Sequence, residues 1–306
     1  MSAGGGTRAV VAALGANLGI AATKFVAFAL TASSSMLAEA IHSVADSANQ
    51  VLLLIGGKRA ERGATAKHPF GYGRERYIYA FVVSVVLFSV GGVFAGYEGI
   101  HKIMHPEPIT AWRWVPVAVL GIAIVLESLS FRTAITETNQ VRGGASWVAF
   151  IRHARAPELP VILLEDFAAL VGLVLALFGV GLTLITGDGV WDGIGTLAIG
   201  ALLASVAVVL AVETKSLLLG ESATAEQVAA IEAAIGDGTE VNRLIHMRTL
   251  HLGPEELLVA AKIAVPGEES AQRVAAAIDA VEARIRAAVP IARVIYLEPD
   301  IDRGTN

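Results

Sequence analysis

The 306-residue chain is 55% hydrophobic and 17% charged, with no cysteine and a formal net charge of −5; its mean hydropathy is +0.63. The apolar share is above and the charge below those of a soluble domain, so a membrane protein is expected. The small acidic balance gives no case for a nucleic-acid partner. The lack of cysteine excludes disulfides and thiolate ligands, leaving His, carboxylate, backbone or water for any transition-metal site.

In chain order, Met1–Arg8 lacks the small-residue cleavage site of a signal peptide, and the apolar run behind it is too long for one, so it reads as a first anchor. Six segments are apolar over the roughly 20 residues that a spanning helix needs: 9–31, 33–57, 78–102, 112–133, 159–185 and 190–214. The second is the most polar, and a strict hydropathy cutoff would miss it.

Loop charges set the expected orientation. The 2–3 loop carries Lys58, Arg59, Arg62, Lys67, Arg74 and Arg76, and the 4–5 loop Arg132, Arg142, Arg152 and Arg155. The 3–4 loop has only Lys102 and Arg113, and the 1–2 and 5–6 loops have neither Lys nor Arg. Positive charge marks the cytoplasmic side, so both termini are expected inside.

The chain changes character after residue 216, which divides it into a six-span membrane domain, 1–216, and a small tail domain, 217–306. Thr224-Ala-Glu-Gln227 is a capping box opening a helix to Ile235, ended by Gly236-Asp-Gly238. The runs Val241–Leu252 and Leu257–Val265 are split by Gly253-Pro254, and Leu257, Val259, Ala261, Ile263 and Val265 alternate as in a strand. Val274, Ile278, Val281, Ile285 and Val289 make one face of a helix stopping at Pro290, before a last strand at Ala292–Leu297. The expected fold class is an all-α six-helix transmembrane domain followed by a small α+β (αββαβ) cytoplasmic domain. So small a domain buries a thin core, which favours a homodimer.

Within the second span, His42 and Asp46 are four residues apart and share a helix face. Burying an ionisable group at the bilayer centre costs at least roughly 3 kcal/mol, so such residues are functional by default. Imidazole with carboxylate is a donor set for a borderline divalent cation such as zinc. Glu39 shares the face, and Asp166 lies about two turns inside span five. Glu165 is about 100° from Asp166 around a regular helix, so both serve one ion only if that helix is irregular. Glu127, alone in span four, reads as a structural or proton-coupling group. Asn17, Asn49 and Lys24 read as packing, hydrogen-bonding or snorkelling residues. Glu98, His101, Asp192 and Glu213 lie near enough to span ends to reach water. His68-Pro-Phe-Gly-Tyr-Gly-Arg-Glu-Arg76 is at least a Gly-rich, basic turn.

Together these residues resemble the cation diffusion facilitator family of divalent-metal/proton antiporters. The resemblance is carried by Asn17-Leu18 and Lys24, by Ser33-Ser-Ser-Met-Leu-Ala-Glu-Ala-Ile-His-Ser-Val-Ala-Asp46, by His68-Pro-Phe-Gly-Tyr-Gly-Arg-Glu75 and by Leu218-Leu-Gly-Glu221. The stretch Pro157–Leu170 is similar to the subgroup of zinc transporter nine. The resemblance implies cytoplasmic termini, homodimers and export of Zn²⁺ in exchange for protons, with Mn²⁺, Fe²⁺ or Co²⁺ as alternatives. It implies His42 and Asp46 as the span-two half of the transport site, which are also proton-coupling candidates, and Asp166 in span five. The family's usual His or Asp four residues before Asp166 is Ile162 here, so Glu165 is expected to replace it, or the site has three protein ligands; Glu39, a helix carbonyl or water are the other candidates for a fourth ligand.

His68 matches one ligand of the family's loop site, but Tyr72 and Thr65 stand where a second His and an acid are common. In the tail, His246 is one place off a usual ligand, Lys262 replaces a His, and Leu297 falls where a His is usual. Weak or absent tail metal binding is expected, with His246, His251 and Glu298 as the candidates. No cofactor is expected beyond the transported cation; the partners are lipid, metal ion, protons and a second copy. Two other classes are a non-transporting metal sensor or heteromeric partner, and an intramembrane metalloenzyme, which the lack of a His-Glu-x-x-His motif disfavours. The Ala- and Gly-rich composition points to a bacterial plasma membrane.

Overall fold

The computed structural model describes residues 3–301, and side chains from Asn17 onward. It divides into two compact units: Met1–Gly57 with Ile78–Lys215, and Lys58–Tyr77 with Ser216–Asn306. The 2–3 loop therefore groups with the tail, although the sequence reading assigns it to the first domain.

The first unit is helical. Its elements are α1 (Ala3–Thr31), α2 (Ser34–Ala60), α3 (Glu75–Val86), a π-helical segment (Leu87–Val93), α4 (Phe94–Met104), α5 (Trp114–Arg142), α6 (Trp147–His153), α7 (Glu158–Thr186) and α8 (Val190–Leu219). Among the described residues, four helices are long and apolar enough to cross a membrane: Glu75–Met104, Trp114–Arg142, Glu158–Thr186 and Val190–Leu219. Helix α2 is not among them because its polar face dilutes its hydropathy, and Asn17–Thr31 forms a shorter apolar stretch. Helix α5 runs nine residues past the expected end at 133 because no Gly or Pro intervenes before Gly143-Gly144. Hydropathy measures the span, not the helix. The short α6, capped by Ser146 accepting from the Ala149 amide, carries an apolar run of five residues, Trp147 to Ile151, too short to read as a span.

Polar contacts tie α2 to its neighbours. The Asp192 carboxylate, at the start of α8, accepts from Ser33 Oγ (3.0 Å), Ser34 N (2.8 Å), Ser34 Oγ (3.2 Å) and Ser35 N (3.2 Å). It thereby satisfies orphan amides at the N-terminus of α2, where the helix dipole favours an anion. Asp192 is fully buried, so the expectation that it reaches water is corrected: the serine run needs an acceptor and Asp192 supplies it. Lys24 of α1 does not snorkel. Its ammonium meets Glu39 Oε2 at 3.0 Å and Ser43 Oγ at 2.8 Å, and both charged side chains are buried.

Close backbone approach joins α4 to α8. A Cβ on Gly200 would lie 2.6 Å from the Gly96 amide nitrogen, and one on Gly99 would lie 2.5 Å from that of Leu197. Small residues permit this packing where no hydrophobic drive exists between apolar helices.

The second unit contains α9 (Ala225–Gly236), β1 (Arg243–Gly253), β2 (Glu256–Val265), α10 (Ala271–Ala288) and β3 (Val294–Ile301). The Thr224/Gln227 capping box is formed reciprocally. The sheet order is β1-β2-β3, with β1 antiparallel and β3 parallel to the central β2. Helix α10 provides the crossover that a parallel neighbour requires. Leu257, Val259 and Ile263 of β2 face Ile231, Ile235, Val281 and Ile285 in one core. Strand β3 begins and ends later than expected and passes through Pro299, which an edge strand tolerates. The 2–3 loop folds in the same unit: a Cβ on Gly73 would lie 2.9 Å from Leu252 O, so glycine there lets the loop reach the β1–β2 turn.

Replacing Asp192 by alanine strands those donors and is expected to cost about 2 kcal/mol, seen as a lower thermal unfolding midpoint of the detergent-purified chain. Lys24→Ala leaves the Glu39 carboxylate buried without its cation, at about 3 kcal/mol or more. The neutral pair Lys24→Met/Glu39→Gln should recover most of that midpoint; equal losses in single and double variants would contradict a charge-pair role.

Candidate metal centre

One face of α2 carries Glu39, His42, Asp46 and Asn49, spaced so that a regular helix keeps them within roughly 80° of arc. Of these, Glu39, His42 and Asn49 are essentially inaccessible, and Asp46 retains 19% side-chain exposure. His42 Nδ1 stands 3.5 Å from Asp46 Oδ1, a near approach without hydrogen-bond geometry. Neither ring nitrogen of His42 has a hydrogen-bond partner, nor does buried Asp46 Oδ1. Imidazole and carboxylate are both able to ligate a metal, and buried polar atoms without a partner are uncommon enough to call for an explanation.

Helix α7 presents its two acids to different neighbours. Glu165, buried, accepts from Asn49 Nδ2 of α2 at 2.7 Å. Asp166 accepts from Ser130 Oγ of α5 at 2.9 Å. Since α7 is a regular α-helix through this stretch, the 100° between successive residues is enforced, and the acids do not converge. Ile162, at the position of the family's usual fourth ligand, is partly buried against the apolar core.

The charges on these helices do not balance. Lys24 compensates Glu39. Among the described residues, Asp46, Glu165 and Asp166 have neutral hydrogen-bonding partners or neutral imidazole, and no Lys or Arg pair. Glu165 is the buried one of the three, and a buried carboxylate without a counter-cation must take up a proton or a cation; Asp46 and Asp166 are partly exposed.

The remaining residues singled out by the sequence stand apart. Glu39 is engaged by Lys24, and its free Oε1 abuts Gly172 of α7. Glu127 is half-buried on α5. In the second unit His68 is exposed; its ring packs on Tyr72 at 4.7 Å between centroids, and its amide donates to Thr65 Oγ1 at 3.1 Å. The loop positions named from the sequence thus come together as a knit turn of one imidazole, one phenol and one hydroxyl. Among the described residues, no three His, Asp or Glu side chains lie close enough as placed to hold a metal ion; Glu39, Glu165 and Asp166 are each held by a partner of their own.

In the tail, His246 is exposed and opposite Lys262 across the β1–β2 ladder. His251 is buried, with Nδ1 3.3 Å from Gly253 O. The Lys262 ammonium meets Asp300 at 2.9 Å and Glu298 at 3.1 Å. These hydrogen bonds, Asp300 first, hold its pKa above the ordinary lysine value. A fixed cation thus engages Glu298, the carboxylate among the three candidates for a tail site expected to be weak or absent.

Sequence reasoning missed two functional neighbours, Asn49 and Asp192. A count of buried donors against acceptors would have flagged both: an amide and a serine run in apolar helices each demand a partner.

The chain matches the family model for the cation efflux transmembrane domain over residues 10–219. Human "Proton-coupled zinc antiporter SLC30A9, mitochondrial" is 34% identical over 232 residues, 75% of this chain and 41% of that protein. "Metal tolerance protein C4" of Arabidopsis thaliana is 27% identical over 263 residues, 85% of this chain and 57% of that protein. "Magnetosome protein MamB" of Magnetospira sp. (strain QH-2) is 24% identical over 241 residues, 78% and 76% of the two chains. The chain spans about two fifths of the length of the SLC30A9 relatives it matches. With the family model covering more than half the chain and the buried His42–Asp46 pair at its centre, this protein belongs to the cation diffusion facilitator family, a family of multi-pass membrane transporters rather than enzymes.

Proposed function

We propose that this chain exports a divalent metal cation, Zn²⁺ in the first instance, from the cytoplasm in exchange for protons. The observation that carries this reading is the buried His42–Asp46 pair, with unpartnered ligand atoms, on the helix bonded to Glu165 of α7. The name of the SLC30A9 relatives, proton-coupled zinc antiporter, supports the choice of ion and counter-ion. Six spans are proposed, α1 and α2 completing the four apolar helices, with both termini cytoplasmic on the positive-inside rule. The 217–306 domain would join two copies into a homodimer, and the plasma membrane is the proposed location.

Metal binding requires neutral His42 and ionised carboxylates, so protons and metal compete for the same atoms. Imidazole changes charge between about pH 5 and 8. Facing a neutral or alkaline cytoplasm, the site loads; facing an acidic exterior, His42 and the acids take protons and the ion leaves. Rocking of helices around a fixed site would alternate its access. His42, Asp46 and Asp166 are the principal ligands proposed, with Glu165 in the place that Ile162 leaves open.

His42→Ala and Asp46→Ala should each abolish Zn²⁺-dependent proton flux in proteoliposomes; undiminished flux in either would sink the assignment. A wild-type chain that binds Zn²⁺ but moves neither ion would favour the metal-sensor or partner-subunit reading. In the tail, His246→Ala should leave both flux and its Zn²⁺ dependence within twofold of wild type, since Lys262 already engages the neighbouring acids.

A further inference from the structure

Asn49 combines two observations that helix packing alone does not explain. Its side chain is wholly buried, and its amide nitrogen donates to Glu165 Oε1 at 2.7 Å. Its carbonyl oxygen, Oδ1, is buried with no partner. With a cation bound Glu165 is ionised and only accepts, so in that state the donor end of the amide faces Glu165, as it does here, and the acceptor end points elsewhere. A buried acceptor left unpaired costs about 1–3 kcal/mol, more than a plain helix–helix hydrogen bond in a membrane returns, which averages about 0.6 kcal/mol. A residue serving only as a bridge would be a net loss.

The other orphaned atoms on α2 show what the oxygen is for. His42, Asp46 and Asn49 follow one another at intervals of four and three, so they stand within about 60° of arc. Each carries a buried ligand-capable atom without a hydrogen-bond partner: both ring nitrogens of His42, Oδ1 of Asp46 and Oδ1 of Asn49. An amide oxygen is an ordinary donor for hard and borderline divalent cations.

We propose that Asn49 Oδ1 is a ligand of the transported divalent cation, and that its amide nitrogen simultaneously ties Glu165 to the site. Asn49 then supplies from α2 the donor that α7 lacks at Ile162, giving one nitrogen and two oxygens on a single helix face, completed by an acid from α7. The donor set suits a first-row divalent ion held by imidazole and oxygen. This assignment rests on the reading of His42 and Asp46 as the transport site.

The test is calorimetric titration of the detergent-purified full chain with Zn²⁺ alone, at constant pH, for wild type, Asn49→Ala, Asn49→Asp and Asp46→Ala, with thermal unfolding run in parallel. Asn49→Ala is expected to weaken Zn²⁺ binding at least tenfold, the usual minimum even for loss of a supporting group at a metal site. Asn49→Asp keeps an oxygen at the position but sets acid against Glu165. A ligand role predicts that it binds Zn²⁺ no more weakly than wild type, whereas a purely structural bridge makes it the worst variant. Should Asn49→Ala fail to fold, the Asn49→Asp comparison decides alone. Asn49→Ala within twofold of wild type, or Asn49→Asp binding more weakly than wild type, overturns the proposal. If Asp46→Ala binds Zn²⁺ normally, the transport-site reading itself falls; if it loses binding while Asn49→Ala does not, only the Asn49 role falls.

Discussion

A helix carrying imidazole, carboxylate and amide groups through an apolar layer has no water to satisfy them, and everything around α2 follows from that demand. Lys24 reaches it from α1, Glu165 from α7 and Asp192 from α8. Each removes a cost that α2 could not bear alone. What these partners leave unsatisfied on α2 is confined to one face, at Glu39, His42, Asp46 and Asn49. The scaffold therefore works by subtraction. Polar atoms needed for structure are paired inside the protein, and the remainder is available to an ion.

The α7 acids show why the arrangement is not a closed cage. Glu165 and Asp166 point to α2 and α5 respectively, held apart by the regular helix that carries both. A carrier has to release its cargo, and ligands that have their own hydrogen-bonding partners can give up an ion without being left bare. On the proposed exchange of metal for protons, the same serine and asparagine that keep the acids in place would lower the cost of releasing the ion.

The sequence made the local part of this legible. The His42/Asp46 face needs only helical periodicity, and the tail's order follows from its capping box, its alternating strand and its proline stop. The partners of α2 were out of reach because they are remote along the chain: Lys24 and Glu39 are 15 residues apart, Asn49 and Glu165 116, and Ser34 and Asp192 158. No periodicity encodes such pairings. Of the readings open for Lys24, hydrogen bonding held and snorkelling failed, and the reading of Asp192 as wet failed with it for one reason: position along a helix was taken for depth, while burial is decided by neighbours. Helix α6 escaped because seven residues with a serine cap carry too little periodicity to register.

The π-helical segment Leu87–Val93 has a geometric consequence for the third long helix. Each i→i+5 turn holds an extra residue, and one residue is worth about 100° of rotation in an α-helix. The faces of α3 and α4 are therefore out of phase, although they share a nearly continuous axis. A single helical wheel drawn through Glu75–Met104 superimposes residues that look in different directions. The glycine row at Gly92, Gly96 and Gly99 meets α8 because the segment has turned it there. Its phase, like a gear tooth offset from the rest of the shaft, is set by Leu87–Val93 and not by the helix start at Glu75.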